Sequence, residues 1–74
     1  MYWRVMEKRR VEVKKDGSWT VVDGLESVKQ GDVFRMFEPD GTPVVQEGFT
    51  EVRATGDGFI EEGIGCIDAE LAAV

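Results

Sequence analysis

An Asp-Gly pair set between two stretches of strict alternation decides the fold class of this chain. Val11 and Val13 alternate with Glu12 and Lys14, and beyond Asp16-Gly17, Trp19 and Val21 alternate with Thr20. A side-chain period of two sends successive residues to opposite faces, as in a strand with one face wet. Asp and Gly accept the positive φ of a primed two-residue turn, whose twist suits the strands it joins. Antiparallel strands over 9–15 and 18–22 follow. Residues 2–6 read as part of the same first strand, with a bulge or bend at 7–10 where the apolar parity breaks.

The rest of the chain repeats the pattern of short strands and turns. Asp23-Gly24 opens a segment too short for a globular helix. A single helical or 3₁₀ turn fits there, closed by Gly31 in a left-handed conformation, with Leu25 and Val28 tucked beneath the sheet as a plug. Val33-Phe34-Arg35-Met36-Phe37 is aromatic, β-branched and alternating, the composition of a strand. Pro39 and Gly41 specify a tight loop over 39–42. Val44-Val45 is expected to return as a short strand. Residues 49–55 should follow as another, with Phe49, Glu51, Arg53 and Thr55 on one face. After Gly56-Asp57-Gly58 the chain turns toward Phe59-Ile60, and 66–71 reads as a final strand.

The predicted fold is a single all-β domain over 1–74, a small antiparallel bent sheet or SH3-like open barrel of five to six short strands. Its predicted core includes Trp19, Val33, Phe34, Met36, Val52 and Ile67. The parity of 33–37 stays open, since Val33, Arg35 and Phe37 or Phe34 and Met36 could face inward.

Composition bears on function mainly by exclusion. The chain has no histidine and one cysteine, so it can form neither an imidazole-based triad nor an intrachain disulfide or cysteine zinc cage. Ser18 and Ser27 fall in predicted turns without a base, and Cys66 lies among Ile64, Gly65 and Ile67, where burial makes a thiol inert. Glu61 and Glu62 are neighbours on an extended chain and point apart. The expectation is no catalytic site, no cofactor and not an enzyme. Glu38, Asp40, Asp57, Glu61, Glu62, Asp68 and Glu70 do not follow the spacing of a calcium loop, so no metal site is expected. No stretch approaches the roughly 20 apolar residues of a spanning helix. The start, with Arg4 and then Glu7-Lys8-Arg9-Arg10, inverts the order of a signal peptide. The lone Cys66 suits a reducing compartment, and the expected location is the cytoplasm, with no membrane partner.

Charge is the most informative property. Nine Lys and Arg face fifteen Asp and Glu, for a net −6, divided as +2 over 1–37 and −8 over 38–74. One reading is a two-signed surface, in which Glu38, Asp40, Glu47, Glu51, Asp57, Glu61 and Glu62 imitate a phosphate backbone and occupy a protein's basic groove. The plainer reading is that the charges pair across the sheet or solubilise it. Arg4, Lys8, Arg9, Arg10, Lys14 and Lys15, beside Tyr2, Trp3 and Trp19, have the mix of a single-strand-binding surface. The net charge argues against direct nucleic-acid binding, because it repels a polyanion at long range.

The run Gly31-Asp32-Val33-Phe34-Arg35-Met36-Phe37-Glu38-Pro39-Asp40-Gly41-Thr42-Pro43-Val44 resembles a segment of small bacteriophage- and prophage-encoded proteins without assigned activity, written G-D-x-F-R-M-x-E-P-x-G-x-x-V. Where that pattern has an aromatic in the following strand, this chain has Glu51-Val52-Arg53-Ala54. The resemblance implies a phage accessory protein at work in bacterial host cytoplasm, and carries over no site residues.

Together these readings predict a non-enzymatic binding protein. The first expectation is an acidic, anti-CRISPR-like inhibitor of a host nucleic-acid-handling defence complex, its partner a host protein or protein complex. The second is an assembly module joined by strand edges, with a homodimer possible. The third is a sponge for a small nucleotide signal, with Arg4, Arg9, Arg10 or Arg35 on the phosphates.

Overall fold

The computed structural model describes residues 2–5, 9–45 and 47–72. Its strands are β1 (Tyr2–Val5), β2 (Arg10–Lys15), β3 (Ser18–Val22), β4 (Val33–Phe37), β5 (Val52–Ala54), β6 (Phe59–Glu61) and β7 (Ile64–Leu71), with a 3₁₀ turn at Leu25–Ser27. Every pairing is antiparallel. The strands form a curled half-barrel in the order β1-β7-β5-β4-β2-β3, with β6 also paired to β7. Cys66 lies opposite both Arg4 and Phe59, so β1 and β6 flank the first part of β7 on opposite edges. The all-β expectation holds.

The hairpin at Asp16-Gly17 forms as the sequence predicts. Asp16 and Gly17 take φ of 51° and 81°, the positive values of a type I′ turn, and five residue pairs follow from Lys15↔Ser18 to Val11↔Val22. Val11 and Val13 meet Met36 and Phe34 across the β2–β4 ladder, and all four are buried. That settles the parity of 33–37: Phe34 and Met36 face the core, while Val33, Arg35 and Phe37 face outward. Val52, Ala54, Ile67 and Ala69 complete the inner face. Leu25 and Val28 are 0% exposed beneath it, the plug that their spacing suggests.

Two core expectations are corrected. Trp19 and Val33 are only partly buried, because register pairs Trp19 with outward-facing Lys14 and Val33 with outward-facing Arg53. Other elements also differ. Residues 2–5 are not in one strand with 10–15: β1 pairs with β7 and β2 with β3 and β4, while residues 6–8, where the bend is expected, lie outside the described residues. With that division and the separate β6, seven short strands are described. Val44-Val45 makes no strand, only a single bridge at Phe37↔Pro43, since proline has no N–H to extend a ladder. The strand expected over 49–55 contracts to Val52–Ala54, after positive φ at Glu47 and Gly48 turns the chain.

One corner depends on absent side chains. The Gly58 amide donates to the Val28 carbonyl at 2.8 Å, and a Cβ on Gly58 would lie 1.7 Å from the Leu25 carbonyl oxygen. On Gly65 it would meet a Glu26 carboxylate oxygen at 2.6 Å. The 3₁₀ turn therefore seats on backbone at Gly58, and only glycine permits that approach.

Candidate interaction surface

Because Val11, Val13, Phe34 and Met36 point inward, the alternate residues of the same strands share the outer face. Register then fixes their neighbours. Lys14 lies opposite Trp19, Glu12 lies between Val21 and Arg35, and Arg10 lies opposite Phe37. Directly opposed side chains in such a ladder stand about 5 Å apart, so these seven residues form one continuous surface.

Glu12 is its centre. The residue is 9% exposed, the only charged one among those described to be buried. One carboxylate oxygen, Oε1, accepts from Arg35 Nε at 2.8 Å and lies 2.8 Å from a terminal guanidinium nitrogen. The other, Oε2, is 2.9 Å from Arg10 Nε. A carboxylate at this depth needs compensation, and two guanidiniums supply it. Each is also held against rings. Arg35 lies 4.0 Å from the Trp19 ring centre and 5.1 Å from that of Phe37, and Arg10 lies 4.4 Å from Phe37. Lys14 reaches to 5.9 Å from Trp19. Stacked contacts of this kind contribute about 0.5–2 kcal/mol each, and they order the face together with the ion pairs to the buried Glu12 carboxylate. Val21, 61% exposed, adds an apolar step beside it.

The basic residues expected to bind anions are thereby located. Arg10 and Arg35 belong to this face, and Arg9 borders it, its Nε donating to Glu38 Oε1 at 2.6 Å. Arg4 is elsewhere, on β1 opposite Cys66. Lys8 lies outside the described residues.

The seven acidic candidates do not converge. The antiparallel register of β4, β5 and β7 puts Glu38, Asp40, Glu47 and Glu51 at one end of the sheet, where the main-chain carbonyl of Glu51 accepts from the Ala72 amide at 3.1 Å. Glu61 and Glu62 lie at the other, where β6 meets the start of β7, and Asp57 lies between the two, in the loop ahead of β6. Eight residues of strand separate the ends by roughly 20 Å. Structural partners engage Glu38, Asp40 and Asp57 in particular. Glu38 binds Arg9, Asp40 Oδ1 accepts from the Thr42 amide at 2.9 Å, and Asp57 Oδ1 accepts from the Gln30 amide at 2.8 Å. The Thr42 hydrogen bonds to its carboxylate hold Asp40 below the ordinary pKa of 3.8.

Elsewhere the chemistry is sparse. Cys66 is buried, its thiol donating to the Ile64 carbonyl at 3.3 Å. Among the described residues no group of three or more Asp, Glu or Cys is placed to hold a metal ion, and no helix is long and apolar enough to cross a membrane. An open cavity of about 240 Å³ is lined by Gly48, Phe49, Thr50, Glu51 and Ala72.

Sequence reasoning missed the role of Glu12, which reads there as the polar member of an alternation. The Asp-Gly turn could have revealed it, since that turn sets Glu12 opposite Val21 and Lys14 opposite Trp19. Comparison of the chain with models of known protein families, with curated proteins and with solved structures finds no match.

Proposed function

We propose that this chain is a non-catalytic protein-binding module that docks through the outer face of β3, β2 and β4. The observation that carries this reading is the stack of Trp19, Arg35, Phe37 and Arg10 around the buried Glu12 carboxylate. Tryptophan and arginine are the residues that dominate protein interfaces, and a face ordered in advance loses less side-chain freedom on docking. Arg10, Lys14 and Arg35 around Val21 suit a partner surface with carboxylates about an apolar patch. A polyanion fits less well, because the net charge of −6 opposes its approach.

The inhibitory part of the reading is that the module occupies a working surface of a bacterial host complex in the cytoplasm. The resemblance of residues 31–44 to phage proteins supports that setting. Phosphate mimicry has less support, since the acidic loops lie at two ends of the sheet.

A photo-crosslinking residue in place of Lys14, compared with one in place of Glu61, tests the reading in bacterial cells. Adducts with the same host protein from the Lys14 position, absent from the Glu61 position, support it. Adducts from Glu61 alone would transfer the function to the acidic loops.

A further inference from the structure

We propose that β3 is the seam of a two-fold homodimer, pairing antiparallel with β3 of a second copy in the register centred on Thr20. This goes beyond the binding reading and does not rest on it.

The hydrogen-bond parity of the hairpin identifies the free groups. A two-residue turn closes on a hydrogen-bonded pair, here Lys15↔Ser18, and such pairs alternate along an antiparallel ladder. Ser18, Thr20 and Val22 therefore direct their amides and carbonyls toward β2. Those of Trp19 and Val21 point the other way. Since β3 ends the strand order, no neighbouring strand among the described residues takes them up.

Protein edges are normally guarded by charge, proline or a bulge. Ser18-Trp19-Thr20-Val21-Val22 has no charged residue and no proline, and its ladder to β2 runs without a bulge. Val21 is 61% exposed on it.

The strand is also complementary to itself. Antiparallel pairing about Thr20 sets Trp19 of each copy opposite Val21 of the other, so four hydrogen bonds use all the free groups of both edges. On the outer face the same pairs bring an aromatic ring against a β-branched side chain twice, a favourable cross-strand combination. Ser18 meets Val22 on the inner face. Symmetric registers centred on Trp19 or Val21 keep the parity but run Val21 against Gly17 or Trp19 against Asp23, outside the strand. The Thr20 register alone pairs all five strand residues with strand residues. The seam is isologous, so it closes at two copies.

Thr20 meets its own copy as a non-hydrogen-bonded pair, with Cα atoms about 4.5 Å apart, within disulfide range. Three samples of the purified chain test the seam: wild type, Val21→Lys and Thr20→Cys, with exposed Thr42→Cys as the control for chance collision. Sedimentation equilibrium should show a concentration-dependent dimer for wild type, with association weakened more than about tenfold in Val21→Lys. Circular dichroism should show Val21→Lys still folded. Mild oxidation should cross-link Thr20→Cys into covalent dimers well ahead of Thr42→Cys. A wild type that stays monomeric through the high-micromolar range overturns the proposal, including the case where the edge instead takes an extended segment of another protein. So does a dimer that Val21→Lys leaves intact, or Thr20→Cys that cross-links no faster than the control.

Discussion

The outer face of β3–β2–β4 and the acidic loops are both dense in charge along the chain, yet only the first becomes a surface. On the face, Arg10, Glu12, Lys14, Trp19, Arg35 and Phe37 come from three strands whose register makes them neighbours. In the loops, Glu38 and Glu62 stand at opposite ends of the sheet, and Glu38, Asp40 and Asp57 are engaged in holding local structure. A run of like charge shows composition, whereas a ladder shows adjacency. The two regions are also built differently, the face from side-chain contacts and the turn beside Asp57 from backbone approach at Gly58.

The strongest way to break this comparison is at that backbone contact. Gly58→Ala drives a methyl group into the Leu25 carbonyl and displaces the plug. Chemical denaturation should show a loss of at least about 3 kcal/mol, a large part of the roughly 5–15 kcal/mol available to a domain. A loss under about 1 kcal/mol would mean that the corner adapts easily.

Next comes Glu12. Removing it by Glu12→Ala leaves Arg10 and Arg35 uncompensated beside the rings, and both are partly exposed, so water limits the damage. Urea unfolding should show a loss of about 1–2 kcal/mol, with Glu12→Gln losing less because it keeps an acceptor. If Glu12→Ala is as stable as wild type, the carboxylate is not the centre of the face.

The smallest effect concerns Asp40. Its carboxyl is held low by the Thr42 hydrogen bonds, so its charged form stabilises the native state. That contribution is present above the ordinary value of 3.8 and is lost as pH falls through the lower native value. Carbon-detected NMR should find the Asp40 midpoint below 3.8, and the stability difference between wild type and Asp40→Asn should shrink under acid. A midpoint at or above 3.8 would contradict the capped turn.

Much of the fold is legible in sequence wherever local chemistry decides it. Asp16-Gly17 specifies its turn by φ, Leu25 and Val28 by spacing, and Phe34 and Met36 by alternation. What escaped depends on distant partners. Trp19 looks like core until its pairing with Lys14 turns it outward. Val33 is ambiguous because apolar residues occupy both faces of 33–37. The division between β1 and β2 follows from β7, more than fifty residues away. The candidate surface was half visible: Arg10 and Arg35 stood out as cations, but their shared carboxylate and the rings under them appear only with register.

The central claim is that this face, not the acidic loops, is the working surface. One titration series of the cross-linked partner decides it, comparing wild type, Lys14→Glu, Arg35→Ala and the double reversal Glu61→Lys with Glu62→Lys. Lys14→Glu and Arg35→Ala should each weaken binding by more than about tenfold, ~1.4 kcal/mol, with the loop reversal within about threefold of wild type. The opposite pattern, with the loop reversal abolishing binding and both face variants near wild type, would contradict the account.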